Sequence, residues 1–210
     1  MCQSTEDILE IYASQPLAGV SRICIDERPC QFIGEVYSPL PMKPNRVKKL
    51  DYEYERQGTG VIFLAYDINT GQRYHWENET RKKTDYATFM DWLERTKYKK
   101  ATKIVVIQDN LNTHSYGSFY ENLPSERAAE LRRKMEFHFT PKHGSWLNMV
   151  EIEFSALSRQ CLNQRIASKG ELIKKVQAWE KERNKNKTKI SWSFTVDNAR
   201  NKLNRHYPII

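Results

Sequence analysis

IVVIQDNLNTH, Ile104 to His114, is the stretch from which the fold is read. Four apolar residues in a row, Ile104 to Ile107, all of them β-branched, fit a short strand buried on both faces. That strand runs into Gln108-Asp109-Asn110, polar groups that no core accepts without partners. A carboxylate at the exposed end of a buried strand is held rigidly at a water-accessible edge, which is where α/β proteins place their chemistry. An Asp-Asn pair after a strand also makes an ordinary turn. The stretch alone leaves both readings open.

Working outward, the helical and strand patterns alternate. Ser4 to Ser14 predicts a helix capped by Ser4 with Asp7 at the capping-box position, ended by Gln15-Pro16. SRICID, Ser21 to Asp26, predicts a strand ending on Asp26-Glu27. Val61 to Tyr66, the turn DINTG (Asp67 to Gly71) and Gln72 to Trp76 predict an antiparallel hairpin. Thr84 is expected to cap a helix whose Tyr86, Phe89, Met90 and Leu93 share a core face. After the central strand come a polar loop, a helix from about Ser125 to Lys134, and a short strand, Glu136 to Thr140. PKHGSWLN (Pro141 to Asn148) leads to a long helix, about Leu147 to Arg165. Ser168 and Glu171 form a capping box for another helix. A basic segment, Lys181 to Lys189, separates that helix from a last short one after Thr195. Hairpin strands followed by alternating helices and strands imply an α/β fold, a mixed sheet flanked by helices. We divide the chain into an N-terminal helix and linker, 1–19, and one domain, 20–210.

The bulk numbers narrow the class. With 210 residues, 39% hydrophobic and 29% charged, the chain reads as one soluble globular domain. No apolar run approaches the ~18 residues of a bilayer span, and no export signal is evident, so a cytoplasmic location is expected. Four cysteines, Cys2, Cys24, Cys30 and Cys161, show neither a CxxC pair nor zinc spacing, and read as reduced thiols. The net charge of +8 and pI near 9.2 favour a polyanionic partner. Between Ser38 and Lys49, three prolines alternate with Lys43, Arg46, Lys48 and Lys49, which excludes a regular helix or central strand. The segment is either an exposed connection or a loop gripping a nucleic-acid backbone.

Acidic residues recur at loaded positions: Asp26, Asp109, and Glu151 with Glu153 early in the long helix. Three carboxylates brought together repel unless a cation neutralises them. Hard oxygen donors with no Cys and little His suit Mg²⁺ or Mn²⁺, and paired ions about 4 Å apart serve in-line phosphodiester chemistry. Glu151 and Glu153 point about 160° apart on a helix, so only one can face the aspartates. Asp67 also follows a strand, but its DINTG context reads as a turn.

With ICIDERP around Asp26, VIQDNLNTH around Asp109 and FTPKHGSWLNMVEIEF around Glu151, the chain resembles the DDE endonuclease domain of bacterial insertion-sequence transposases of the Tc/mariner-like superfamily. The hairpin DYEYERQGTGVIFLAYDINTG and the closing WSFTVDNARNKL share the resemblance, which runs from about residue 20 to the end. It implies an RNase H-like fold, and metal-dependent DNA strand cleavage and strand transfer with Asp26, Asp109 and Glu151 as catalytic, metal-holding residues. The N-x-x-E motif selects Glu151 over Glu153, which is expected to be a surface or supporting group. Asp109 and Glu151 lie 42 positions apart, more than in compact mariner-type members, and the excess is assigned to the helix from Ser125 to Lys134. Supporting roles around the carboxylates go to Asn110, His114, His143, Asn148 and Glu153, and phosphate contacts to Lys43, Arg46, Lys48, Lys49 and Lys142. Two Mg²⁺ or Mn²⁺ ions are expected, with duplex DNA (element ends and target) as partner and a homodimer as assembly. Full-length relatives carry an N-terminal helix-turn-helix module, so a fused or separate partner of that kind is expected. An inactive DNA-binding remnant and a general RNase H-like nuclease remain the alternatives.

Overall fold

The computed structural model describes residues 2–37, 40–47, 51–202 and 204. Five strands form one sheet in the order β3-β2-β1-β4-β5: β1 (Val20–Glu35), β2 (Tyr54–Asp67), β3 (Arg73–Asn78), β4 (Lys103–Gln108) and β5 (Met135–Phe139). β1, β2 and β3 pair antiparallel, and β4 runs parallel to both β1 and β5. The mixed sheet expected from the sequence is present.

Side-chain alternation sends the two faces of each strand into separate cores. Ile23 and Ile25 of β1, Phe63 and Ala65 of β2, and Ile104 and Val106 of β4 pack with α2 (Lys83–Thr96), α3 (Tyr116–Asn122) and α4 (Ser125–Lys134). Cys24, Ile62, Leu64, Tyr66 and Ile107 face α1 (Cys2–Ala13), α5 (Met149–Gln160), α6 (Lys169–Lys185) and α7 (Val196–Lys202). α1 contributes the buried Ile8 and Leu9 to that layer. Its C-terminal end is bound by Arg22, whose Nη1 donates to the Ile11 and Ser14 carbonyls at 2.7 and 2.8 Å.

Several boundaries differ from the sequence reading, each for a local reason. β1 does not end at Asp26 but continues to Glu35, because β2 pairs with it as far as Glu35 opposite Tyr54. Its pairing with β4 stops at Cys24 opposite Ile107. Pro29, which would break a central ladder, therefore lies where β1 has become an edge. Thr84 lies inside α2 and gives its hydroxyl to Asn122; Asp85 instead accepts from the Lys82 N–H at 2.7 Å. Part of the expected polar loop after β4 is the short helix α3. The long helix is shorter than expected: a 3-10 turn, Ser145–Leu147, precedes α5, which stops at Gln160. α6 begins after Ser168, whose hydroxyl accepts from the Glu171 N–H as expected, but the Glu171 carboxylate reaches the Ala167 N–H rather than that of Ser168, so the box is half made; the helix runs on through Lys181 to Lys185. Pro39, Lys48 and Lys49 lie outside the described residues.

The DINTG turn is local chemistry throughout. The Gly71 N–H donates to the Asp67 carbonyl at 2.8 Å, with Gly71 at φ 73, and the Asp67 carboxylate accepts from Thr70 N–H and the Tyr98 hydroxyl. Asp67 is a buried turn residue.

Candidate active site where β4 leaves β1

The parallel register sets the geometry. Ile23 lies opposite Val106 and Cys24 opposite Ile107; carrying that register two residues further brings Asp26 level with Asp109. Neighbouring strands run about 4.8 Å apart, so the two aspartates stand side by side at the point where the strands part. Asp26 points to the same face as Cys24, toward α5.

α5 delivers Glu151. Asn148 caps the helix by accepting from the Val150 N–H at 3.4 Å, and its amide Nδ2 donates to the Ile25 carbonyl at 2.9 Å. A single buried Asn thus fastens the start of α5 to the residue before Asp26, with Glu151 in the first helical turn. The preceding turn is held by the Tyr12 hydroxyl, which donates to the Leu147 carbonyl at 2.6 Å.

The three carboxylates act on one another. Burial first, then the charges of Asp109, Glu27 and Glu151, push the Asp26 carboxyl from 3.8 up to about 7, although the Glu27 N–H bond opposes the rise. Glu151 is raised by burial and by Asp109, with Arg28 pulling the other way. Asp109 is lowered overall: burial would raise it, but the His114 imidazole, the Leu111 N–H and Arg81 outweigh that. Among the described residues no three His, Cys, Asp or Glu side chains are already gathered as ligands of one ion. The donor set nonetheless fits a hard divalent cation: three hard oxygen donors at one edge, with Asp26 raised by burial and by its acidic neighbours.

The supporting residues fall into distinct places. Asn110 donates to the Thr140 carbonyl, closing the loop after β4 onto the end of β5. His114 is buried against the Asp109 carboxylate. His143 is exposed at φ 63 beside exposed Lys142 in the loop before α5. Lys43 and Arg46 form an exposed tight turn around Asn45.

Glu153 is where the expectation of a surface or supporting group fails. It is fully buried, and its carboxylate accepts two bonds of 2.6 Å from Arg73 of β3 and two of 3.1 Å from Arg183 of α6. The 160° separation along α5 turns it to the sheet and α6, away from the aspartates. Its partners lie 80 and 30 residues away, so no local pattern announces them.

Sequence reasoning also passed over Arg28. It sits two residues beyond Asp26 on the same strand face, and donates to the Phe154 carbonyl at 3.2 Å and to the Ser158 hydroxyl of α5. The period of two along β1 was the available signal.

A five-stranded mixed sheet in the order β3-β2-β1-β4-β5, with helices on both faces, is the RNase H-like fold. Residues 21–173 match the DDE superfamily endonuclease family, and the chain belongs to that family. Its fold is similar to that of the Mos1 mariner paired-end complex with Mn, with TM-score 0.61 and 15% identity over 89% of this chain and 55% of that one. Against the catalytic domain of Mos1 mariner transposase the TM-score is 0.58, with 14% identity over 86% of this chain and 78% of that one. A paired-end complex with Mg gives TM-score 0.52 and 13% identity over 85% and 52%. The chain thus spans about half the length of the full transposase chains it matches. No curated protein sequence matches it. Among the described residues no helix is long and apolar enough to cross a membrane.

Proposed function

We propose that this chain is the catalytic domain of a DNA transposase, cutting DNA strands at the ends of a mobile element and joining the freed 3′-hydroxyl to a target phosphodiester. What supports the reading is the register that sets Asp26 level with Asp109 where β1 and β4 part, with Glu151 in the first turn of α5, which Asn148 ties to the residue before Asp26. A covalent enzyme nucleophile is not part of the reading: carboxylates that need positive charge serve better as cation holders than as attacking groups.

Asp26, Asp109 and Glu151 would hold the Mg²⁺ or Mn²⁺, two ions in the full reading. Bound there, the cations would neutralise phosphate charge and acidify the attacking hydroxyl. The protein's own work is positional. The Glu27 N–H fixes one Asp26 oxygen at 2.7 Å, Asn148 fixes the approach of α5, and Arg28 offsets charge at Glu151. Exposed Lys43, Arg46 and Lys142 would take DNA phosphates, adding affinity but little sequence information. Recognition of element ends is assigned to a helix-turn-helix module, fused or separate, and the assembly to a homodimer.

The test is cleavage of a labelled duplex carrying the element's terminal repeats, with Mg²⁺ or Mn²⁺, by the chain alone and joined to such a module. Metal-dependent nicking that the joined protein directs to the repeat ends supports the reading. Preferential cutting of an RNA–DNA hybrid would replace it with a general RNase H-like nuclease, and no cutting by either protein with an inactive remnant.

A further inference from the structure

Glu27 follows Asp26 on β1, so alternation points its side chain to the opposite face of the sheet. There its carboxylate, 2% exposed, lies 2.8 Å from Nε2 of His114, a side chain with no exposure. The other ring nitrogen, Nδ1, lies 2.7 Å from Oδ1 of Asp109. One imidazole thus bridges two carboxylates, one on each strand of the diverging pair. Nδ1 also lies 3.3 Å from the Asp109 main-chain carbonyl, so the ring is held to Asp109 at two points.

The ring has little freedom. Its centroid lies 4.8 Å from that of Tyr86, whose hydroxyl donates to Gln108 at 2.8 Å, and the His114 N–H donates to the Leu111 carbonyl at 2.8 Å. On Asp109, both the imidazole bond and the Leu111 N–H bond (3.1 Å) fall on Oδ1. Oδ2 is thereby the oxygen offered to a cation.

We infer that Glu27 is a positioning residue, acting through His114 to orient the Asp109 carboxylate toward a divalent cation. The inference rests on the reading of Asp109 as a metal-holding residue. Glu27 itself is excluded as a direct ligand beside Asp26, because its side chain lies across the sheet. Its backbone N–H serves Asp26 while its side chain serves Asp109, so one residue sets both aspartates.

The test measures Mn²⁺ binding directly, by electron paramagnetic resonance of free Mn²⁺ and by calorimetry, on wild type, Glu27→Gln, His114→Asn and the double variant. Outer residues that orient metal ligands typically matter 10- to 100-fold in affinity, and a loss of about that size is expected for Glu27→Gln. Because Glu27 acts through His114, the double variant should bind no more weakly than His114→Asn alone. Glu27→Asp, which keeps the carboxylate but shortens its reach to His114, gives a second variant and should also lose affinity. Unchanged Mn²⁺ affinity in the folded Glu27 variants, or additive losses in the double variant, would each overturn the inference. If wild type binds Mn²⁺ and cuts DNA while Glu27→Gln matches it, only the role of Glu27 falls. Failure of wild type to do either removes the site reading, and this inference with it.

Discussion

Glu151→Ala and Glu153→Ala remove the same group from positions two apart on one helix, and the two should part company completely. In Glu153→Ala the Arg73 guanidinium, with a fully buried side chain, loses its two 2.6 Å acceptors and keeps only the Gly71 and Thr188 carbonyls. Arg183, also largely buried, loses its carboxylate partner as well. Breaking a buried pair from one side costs about 3–5 kcal/mol, because a charge is left uncompensated. For a chain of this size, at about 2–4 °C per kcal/mol, Tm should fall by roughly 6–20 °C. Cleavage measured well below the new Tm should persist. Glu151→Ala should do the reverse: no loss of Tm in metal-free buffer, since a repelling carboxylate has gone, and no cleavage. Urea and thermal unfolding followed by circular dichroism give the stabilities, and strand cleavage gives the activity. A control replaces both partners, Arg73→Met with Glu153→Met, and should recover part of the loss. Recovery will be incomplete, because the Gly71 and Thr188 carbonyls lose their donor. A Glu153→Ala penalty below ~1 kcal/mol, or a larger one for Glu151→Ala, would refute the assignment of the two faces of α5.

Asp26→Asn and Asp109→Asn should likewise abolish metal-dependent cleavage with Tm held or raised; a Tm drop comparable to that of Glu153→Ala would show these groups to be structural. Asn148→Ala removes a helix cap and leaves the buried Ile25 carbonyl without its donor, so a loss of about 2–4 kcal/mol is expected, read from urea midpoints. For His75, burial lowers the imidazole but Glu180 and Glu77 outweigh it and raise it above 6.5. A raised folded value means stabilisation present below about pH 6.5 and lost as pH climbs through the folded pKa. The stability gap between wild type and His75→Gln should therefore shrink on going from pH 6 to pH 9; a gap that widens contradicts the sign. Duplex affinity should fall steeply with salt, and neutralising exposed Lys43, Arg46 and Lys142 together should reduce the log–log slope by about 3; an unchanged slope would place the DNA elsewhere.

What the sequence disclosed, and what it withheld, follows from the range of the interactions. β4 was legible because four consecutive apolar residues call for burial on both sides; Ile104 and Val106 receive it on the α2, α3 and α4 face and Ile107 on the α5 face, while Val105 is half-buried. The α6 start was legible because its cap is local: the Ser168 hydroxyl accepts from the Glu171 N–H three residues on. The choice of Glu151 needed the N-x-x-E motif, and the cap made by Asn148 gives that spacing a physical basis. The continuation of β1 past Asp26 was not legible, since it depends on pairing with residues around Tyr54 rather than on its own pattern. Nor was the burial of Glu153, which depends on arginines far away in the chain. Glu27 was visible as half of an acidic pair, but its link to His114 spans 87 residues.

The parting of β1 from β4 has a bearing on how such a domain can diversify. The register that aligns Asp26 with Asp109 is secured within five residue pairs, Val20 to Cys24 against Lys103 to Ile107. Beyond it β1 pairs with β2 as a two-stranded ribbon as far as Glu35 opposite Tyr54, resting on α5 through Arg28, and a register shift between Gln31 and Ile33 is already accommodated there. Lineages can therefore lengthen, shorten or re-sculpt the ribbon without dislodging the carboxylates, because the indexing lies behind the fork rather than along the ribbon. The same decoupling makes the turn around Asn45 a natural graft point: a tag, a fluorophore or a foreign binding peptide inserted there should ride on the domain while the chemistry at its base stays in alignment.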